Sequence, residues 1–101
     1  FHHHLAGGGP LFPEHTGIVH VSGVVDPDVA AAEMTDAHRV LVTDRDRLGN
    51  VAQLRALEAA GWHGPASFEA FAPETIAARD PVADLRRSMD FIRAQVALQA
   101  A

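Results

Sequence analysis

The run Gly17-Ile18-Val19-His20-Val21-Ser22-Gly23 is short, rich in β-branched residues and bounded by glycine at both ends. These features are typical of a buried strand with a turn on either side. Side chains alternate along a strand, so His20 lies on the face opposite to Val19 and Val21. The run therefore predicts a strand that packs through its valines and presents a histidine on its other face.

A second strand is predicted at residues 66–71, Ala-Ser-Phe-Glu-Ala-Phe, directly after the turn signal Gly64-Pro65. Glu69 lies in its middle and shares a face with Ser67 and Phe71. A charged side chain in a buried strand is unfavourable without a partner, so Glu69 needs a cation or hydrogen-bond donors. Each predicted strand therefore carries one potential metal ligand.

A helix is predicted between the two strands, over about residues 51–60. Asn50 stands where an N-terminal cap belongs, and apolar residues recur every three positions from Val51. Gly61 occupies the position of a left-handed residue at the helix C-terminus. The order of elements so far is strand, helix, strand.

The last helix is predicted at the end of the chain. Asp80 caps it, and Pro81 takes the first helical position, where its missing N–H is not needed. Steps of four and three place one apolar stripe on this helix, formed by Leu85, Met89, Ile92 and Val96. The stripe predicts that the helix packs against the sheet.

The remaining segments are predicted to be connections. Residues 24–49 are mostly irregular, with a short helix at 29–33 and a brief strand at 40–42. Short helical turns are predicted at 11–15 and at 73–78. A connection as long as residues 24–49 is usually either functional or disordered.

The alternation of strands and helices predicts an α/β fold with a parallel sheet covered by helices. Two strands do not make such a sheet alone. Because a (β/α)₈ TIM barrel needs about 250 residues, we expect residues 1–101 to be a partial domain, truncated at its N-terminus, that supplies the last two to three βα units.

Composition narrows the classes of function. Eight basic against thirteen acidic residues give a net charge of −5, which disfavours binding to nucleic acid. The chain has no cysteine, so a metal would be held by oxygen and imidazole ligands. No apolar run is long enough to span a membrane, and we expect a cytoplasmic protein.

Histidines are concentrated at the start of the chain: His2, His3, His4 and His15 fall within its first fifteen residues. A purification-tag remnant followed by the spacer Gly7-Gly8-Gly9 is an ordinary explanation for the first three.

His20 and Glu69 are the candidate metal ligands that the residues alone provide. In a barrel, inward-pointing side chains at the carboxyl ends of the strands form the active site, and both residues have that position. A histidine in a strand is also commonly a hydrogen-bonded core residue, and spacing does not separate these two interpretations.

Four short motifs follow one another along the chain: Phe1-His2, Val19-His20-Val21-Ser22, His38-Arg39-Val40-Leu41 and Ser67-Phe68-Glu69-Ala70-Phe71. In this order they resemble the last three strands of the sugar phosphate isomerase/epimerase family, the xylose isomerase-like barrels. The members associated with myo-inositol catabolism are the most similar.

The resemblance implies a divalent ion (Mn²⁺, Mg²⁺, Co²⁺ or Zn²⁺) bound by a Glu, an Asp, a His and a final Glu from successive strands. His20 matches the His and Glu69 the final Glu, which is also a catalytic acid or base. His2 and Arg39 match substrate-binding positions. The other two ligands lie upstream of Phe1, so we expect the chain alone to be inactive.

The implied reaction is proton transfer next to the carbonyl of a sugar, sugar phosphate or inosose, through an enediolate. An inosose dehydratase and an endonuclease IV-like hydrolase are alternatives on the same barrel. A further alternative is a non-catalytic binding module whose fold is completed by a partner. We expect a sugar or cyclitol substrate, no nucleic acid or membrane partner, and a homo-oligomer.

Overall fold

The computed structural model describes residues 10–100, with side chains described as far as residue 97. The strands are β1 (Val19–Val21) and β2 (Ala66–Phe68), and the helices are α1 (Asn50–Ala59), α2 (Pro73–Ile76) and α3 (Pro81–Ala100). Single 3₁₀ turns occur at Pro13–His15, Ala31–Glu33 and Asp36–His38. None of the helices in this part of the chain is both long and apolar enough to cross a membrane.

The two strands pair in parallel, with Val19 opposite Ala66 and His20 opposite Ser67. Val19 and Val21 are buried, whereas His20 is exposed, so the predicted alternation of β1 is confirmed. β2 is shorter than predicted because the regular ladder ends at Phe68. A parallel pair of strands with helices after it is the mixed α/β class that the sequence predicts.

Helix α1 begins one residue earlier than predicted. Gly49, with φ of 68°, is the N-cap, and Asn50 is the first helical residue. The prediction that Asn50 caps the helix is therefore wrong: its side chain is buried and bonds to other segments. Gly61 has φ of 90°, which confirms the left-handed residue predicted after the helix.

Helix α3 starts as predicted, since Asp80 Oδ1 accepts a hydrogen bond from the Ala83 amide at 3.1 Å. Its buried face is rotated from the predicted stripe. Ile92 packs against the core together with Phe91 and Val96, but Leu85 and Met89 stay partly exposed. The reason is that the buried Ser88 contacts the 40–42 segment, where its Oγ donates to Val42 O at 2.7 Å.

The core lies between the sheet and helices α1 and α3. Its buried members are Val19, Val21, Val42, Leu54 and Leu57, and partly buried side chains such as Trp62 and Phe68 pack around them. Burial of this apolar surface is the main force that holds the strands against the helices.

Residues 24–49 are more ordered than a bare loop. The predicted helix is reduced to the 3₁₀ turn Ala31–Glu33, and the predicted strand is reduced to an isolated bridge between Gly23 and Val40. A second buried cluster of Val24, Met34 and Leu48 packs beneath the segment. This packing fixes the position of the residues that follow β1.

Candidate active site

The sheet places His20 and Glu69 on one face. His20 is in register with Ser67, and Glu69 stands two residues further along, so alternation returns it to the same side. The Glu69 amide also donates to Val21 O at 2.9 Å, which extends the pairing past β2. His20 Nδ1 lies 3.1 Å from Glu69 Oε2, so the two predicted residues are in direct contact.

The pair is open to solvent. The side chain of His20 is 49% exposed and that of Glu69 is 34% exposed. The sequence predicted a carboxylate in the middle of a buried strand, whereas the strand ends just before Glu69. Its placement beyond the carboxyl end of β2 makes it accessible to an ion or a small molecule.

Arg39 joins the same cluster. Its Nη2 donates to Glu69 Oε2 at 2.9 Å, and its Nε donates to Ser22 Oγ at 2.9 Å. Its Nη1 donates to Asp36 Oδ1 at 3.1 Å. With a side chain only 19% exposed, the guanidinium is held by three oxygens from three segments. The structure therefore brings the third predicted site residue beside the first two.

The aromatic ring of Phe71 supports Arg39 from another direction. The guanidinium carbon lies 5.3 Å from the ring centroid, within the range of a cation–π contact. The backbone is tied as well, because the Ala72 amide donates to Arg39 O at 2.8 Å. The segment that follows β2 thus holds Arg39 through Glu69, Phe71 and Ala72.

A capped turn presents Arg39. The Thr35 amide donates to His38 Nδ1 at 2.9 Å, which closes a capping box over the turn Asp36–His38. No role was predicted for His38, and the structure gives it this structural one. Asp36 and Ser22 are contacts of the site that sequence reasoning missed. The three-residue spacing of Asp36 from Arg39 was the available signal.

The Arg39 hydrogen bond keeps the pKa of Glu69 below its ordinary value of 4.5, with smaller contributions from the charges of His20 and Arg39. Desolvation opposes this effect without overcoming it. Glu69 is therefore ionised throughout the neutral pH range. A carboxylate that keeps its charge is suited to bind a cation.

The donor set of His20 and Glu69 fits a divalent ion in part. Imidazole nitrogen and carboxylate oxygen both suit Mn²⁺, Co²⁺ and Zn²⁺. Two adjacent ligand atoms at about 2.1 Å from an octahedral ion are about 3 Å apart, and the observed separation is 3.1 Å. Residues 10–100 contain no group of three candidate ligands, and His2 lies outside the described residues.

A cleft of about 800 Å³ lies elsewhere, between residues 40–45, α2 and α3. Its charged lining residues are Asp44, Arg45, Glu74, Asp84 and Arg87. His20, Arg39 and Glu69 do not line it. The cluster of His20, Arg39 and Glu69 therefore lies outside this cleft.

The described chain is a mixed α/β unit in which two parallel strands carry an ionic cluster at their carboxyl ends. No family model and no curated protein sequence matches it significantly. Its structure is similar to the crystal structure of a xylose isomerase domain-containing protein from Salmonella typhimurium LT2. The TM-score is 0.62 and the identity 23%, over 93% of this chain and 32% of that chain.

This likeness shows that the chain shares the fold of part of a xylose isomerase-like structure. The chain spans about a third of the length of the protein it matches. The activity of the whole protein is therefore a matter of proposal.

Proposed function

We propose that the chain carries part of the active site of a divalent-metal-dependent isomerase or epimerase that acts on a sugar, sugar phosphate or inosose. The observation that supports this most is the 3.1 Å contact of His20 Nδ1 with Glu69 Oε2 at the carboxyl ends of two parallel strands. In barrels of parallel strands, these ends are where the active site forms.

The barrel itself is part of the proposal. The chain is taken as the last two to three βα units of a (β/α)₈ barrel, with β1 and β2 as neighbouring strands and α1 and α3 on the outside. Two observations support it: the parallel pairing, and the likeness to a segment of a xylose isomerase domain-containing protein. The myo-inositol-type specificity rests on the sequence motifs alone.

In this proposal, His20 and Glu69 are two ligands of the ion, and upstream residues supply the others. When bound, the ion polarises the substrate carbonyl and stabilises the negative charge that develops on deprotonation. Arg39 orients Glu69 and keeps it charged before the ion arrives.

Glu69 is also the proposed acid or base, and its surroundings constrain that role. A lowered pKa favours the carboxylate as a ligand and weakens it as a base. Proton abstraction by Glu69 therefore requires the Arg39 bond to lengthen once substrate is present. We therefore expect Arg39 to release Glu69 and to donate a hydrogen bond to a substrate oxygen instead.

Arg39 has the donors for such an exchange. A guanidinium carries five N–H groups, and the contacts to Ser22, Asp36 and Glu69 use one each. The donors that remain suit hydroxyl or phosphate oxygens of a substrate. We propose that Arg39 binds substrate together with His2.

The experiment is an isotope-exchange assay on the full-length protein with Mn²⁺ in D₂O. A panel of ketoses, ketose phosphates and inososes is incubated, and deuterium at the carbon next to the carbonyl is measured by NMR. Deuterium in recovered substrate or in an isomer supports the proposal. A protein that exchanges none of them, with any of the four metals, contradicts it.

Product analysis of the inosose incubation and a separate cleavage assay with abasic DNA distinguish the alternatives. Loss of water from an inosose would identify a dehydratase, and cleavage of abasic DNA would identify an endonuclease IV-like hydrolase. A binding module would give neither reaction. The expectations of a cytoplasmic location and of a homo-oligomer stay predictions.

A further inference from the structure

We propose that Asn50, together with Asp46, is a positioning residue for Arg39. A buried network of hydrogen bonds fixes Ser22, and Ser22 in turn fixes the guanidinium that contacts Glu69. The consequence for substrate binding rests on the proposed function, whereas the positioning of Arg39 does not.

Asn50 is fully buried at the first position of α1. Its side chain forms hydrogen bonds with residues outside that helix. Its Nδ2 donates to Ser22 O at 2.7 Å and to Asp46 Oδ2 at 2.8 Å. One amide group therefore ties the start of α1 to the residue that follows β1.

The Asp46 carboxylate completes the network by accepting hydrogen bonds from the segment after β1 and from residues 48–50. Its Oδ1 accepts from the amides of Val24 at 3.2 Å and Leu48 at 2.9 Å. Its Oδ2 accepts from the Asn50 amide at 3.0 Å, in addition to the side-chain bond. Four N–H donors on one carboxylate make charge-assisted contacts that hold residues 22–24 against the loop before α1.

The network reaches Arg39 through Ser22 and Gly23. Ser22 is 1% exposed, and its Oγ accepts from Arg39 Nε at 2.9 Å. Gly23 follows Ser22, and Val40 follows Arg39. These two residues are joined by two backbone hydrogen bonds of 2.7 and 2.8 Å. A Cβ on Gly23 would come within 3.0 Å of Leu41 O, so the two segments are in close contact. A shift of Ser22 must therefore move Arg39.

The network uses the donor end of the Asn50 side-chain amide and not its acceptor end. Asn50 Oδ1 is buried and has no hydrogen-bond donor among the described residues. An unpaired buried acceptor is unfavourable, and a leucine of similar size would avoid it. The two bonds of Nδ2 are what a leucine would not supply.

The test follows the Arg39 Nε–H by NMR in the full-length protein, with the signal assigned by its loss in Arg39→Lys. In the wild type, its hydrogen bond to Ser22 slows exchange with water. We expect Asn50→Leu to speed this exchange several-fold, up to the about ten-fold change that corresponds to complete loss of a hydrogen bond of ordinary strength. Ser22→Ala gives the rate for complete loss of the acceptor.

Leu54→Val is the matched control, since Leu54 is buried in the same helix and belongs to the apolar core. It should leave the Arg39 exchange rate within about two-fold of the wild type, because it removes no hydrogen bond in the network. If Asn50→Leu does not fold, Asp46→Asn keeps the shape of the side chain and should raise the rate in the same direction.

A folded Asn50→Leu protein with wild-type exchange at Arg39 would overturn the proposal, and so would equal acceleration in Leu54→Val. A wild-type exchange rate at Arg39 in a folded Asp46→Asn protein would also overturn the proposal. In the isotope-exchange assay, Asn50→Leu should raise KM several-fold with little change in kcat. An inactive wild type with the expected NMR result would contradict the proposed function and leave the positioning role supported.

Discussion

Arg39 Nη2 donates to Glu69 Oε2 at 2.9 Å, the same oxygen that lies beside His20 Nδ1. A fixed cation and a neighbouring imidazole thus converge on one carboxylate oxygen. A metal ion bound to this oxygen would compete with Arg39, so the guanidinium would limit the availability of Glu69 to an ion.

The ion pair should make stability depend on pH in a defined direction. The folded pKa of Glu69 lies below its ordinary value of 4.5, so the unfolded chain binds the proton more tightly. The contribution to stability is therefore present above pH 4.5 and is lost as pH falls through the lowered folded pKa. We expect the free-energy difference between wild type and Glu69→Gln, measured by urea unfolding, to shrink over that acid range. Glu58→Gln, which removes a carboxylate at an exposed position of α1 outside the site, is the matched control.

Metal affinity should respond differently to two substitutions in the site. His20→Ala removes a ligand and should weaken Mn²⁺ binding to the full-length protein at least ten-fold, a loss of about 1.4 kcal/mol. Arg39→Ala removes a competing positive charge and should leave the affinity unchanged or raise it. Calorimetric titration measures both, with the exposed His15→Ala as control. Unchanged Mn²⁺ affinity in His20→Ala would exclude His20 as a ligand.

Trp62 provides a test of the core beside the sheet. Its Nε1 donates to Thr16 O at 2.7 Å, and a Cβ on Gly64 would overlap the indole ring. Gly64→Ala should therefore displace the ring and destabilise the fold by about 1–3 kcal/mol, as overpacking usually does. Tryptophan fluorescence during urea unfolding reports both effects. Gly17→Ala, where a Cβ meets nothing within 4 Å, should be close to neutral.

The sequence predicted the elements whose signals are local. Alternation in β1, the left-handed Gly61 and the Asp80 cap of α3 depend on a few neighbouring residues, and the structure has all three. The parallel register then brings His20 to Glu69, because Glu69 is two positions after Ser67, the partner of His20.

Long-range contacts account for what the sequence did not predict. Asn50 has the composition of a cap, but its side chain is drawn to Ser22 and Asp46, which no local rule anticipates. The buried face of α3 depends on the contact of Ser88 with Val42, on a segment forty-six residues away. Ser22 joins the site only because folding brings it to Arg39, seventeen residues away. Asp36 is the local exception, because it lies three residues before Arg39.

Glu69 is proposed to be both a metal ligand and the acid or base in a proton transfer next to a carbonyl. The most direct measurement is the Mn²⁺-dependent rate of deuterium incorporation by full-length Glu69→Gln, with Glu58→Gln as control. The amide keeps the shape of the side chain but loses its charge and its capacity to accept a proton. We expect the rate of deuterium incorporation by Glu69→Gln to fall by more than the roughly 10²–10⁴-fold ascribed to acid–base catalysis alone. The rate of Glu58→Gln should stay near that of the wild type. A folded Glu69→Gln enzyme that exchanges deuterium at the wild-type rate would contradict this proposal.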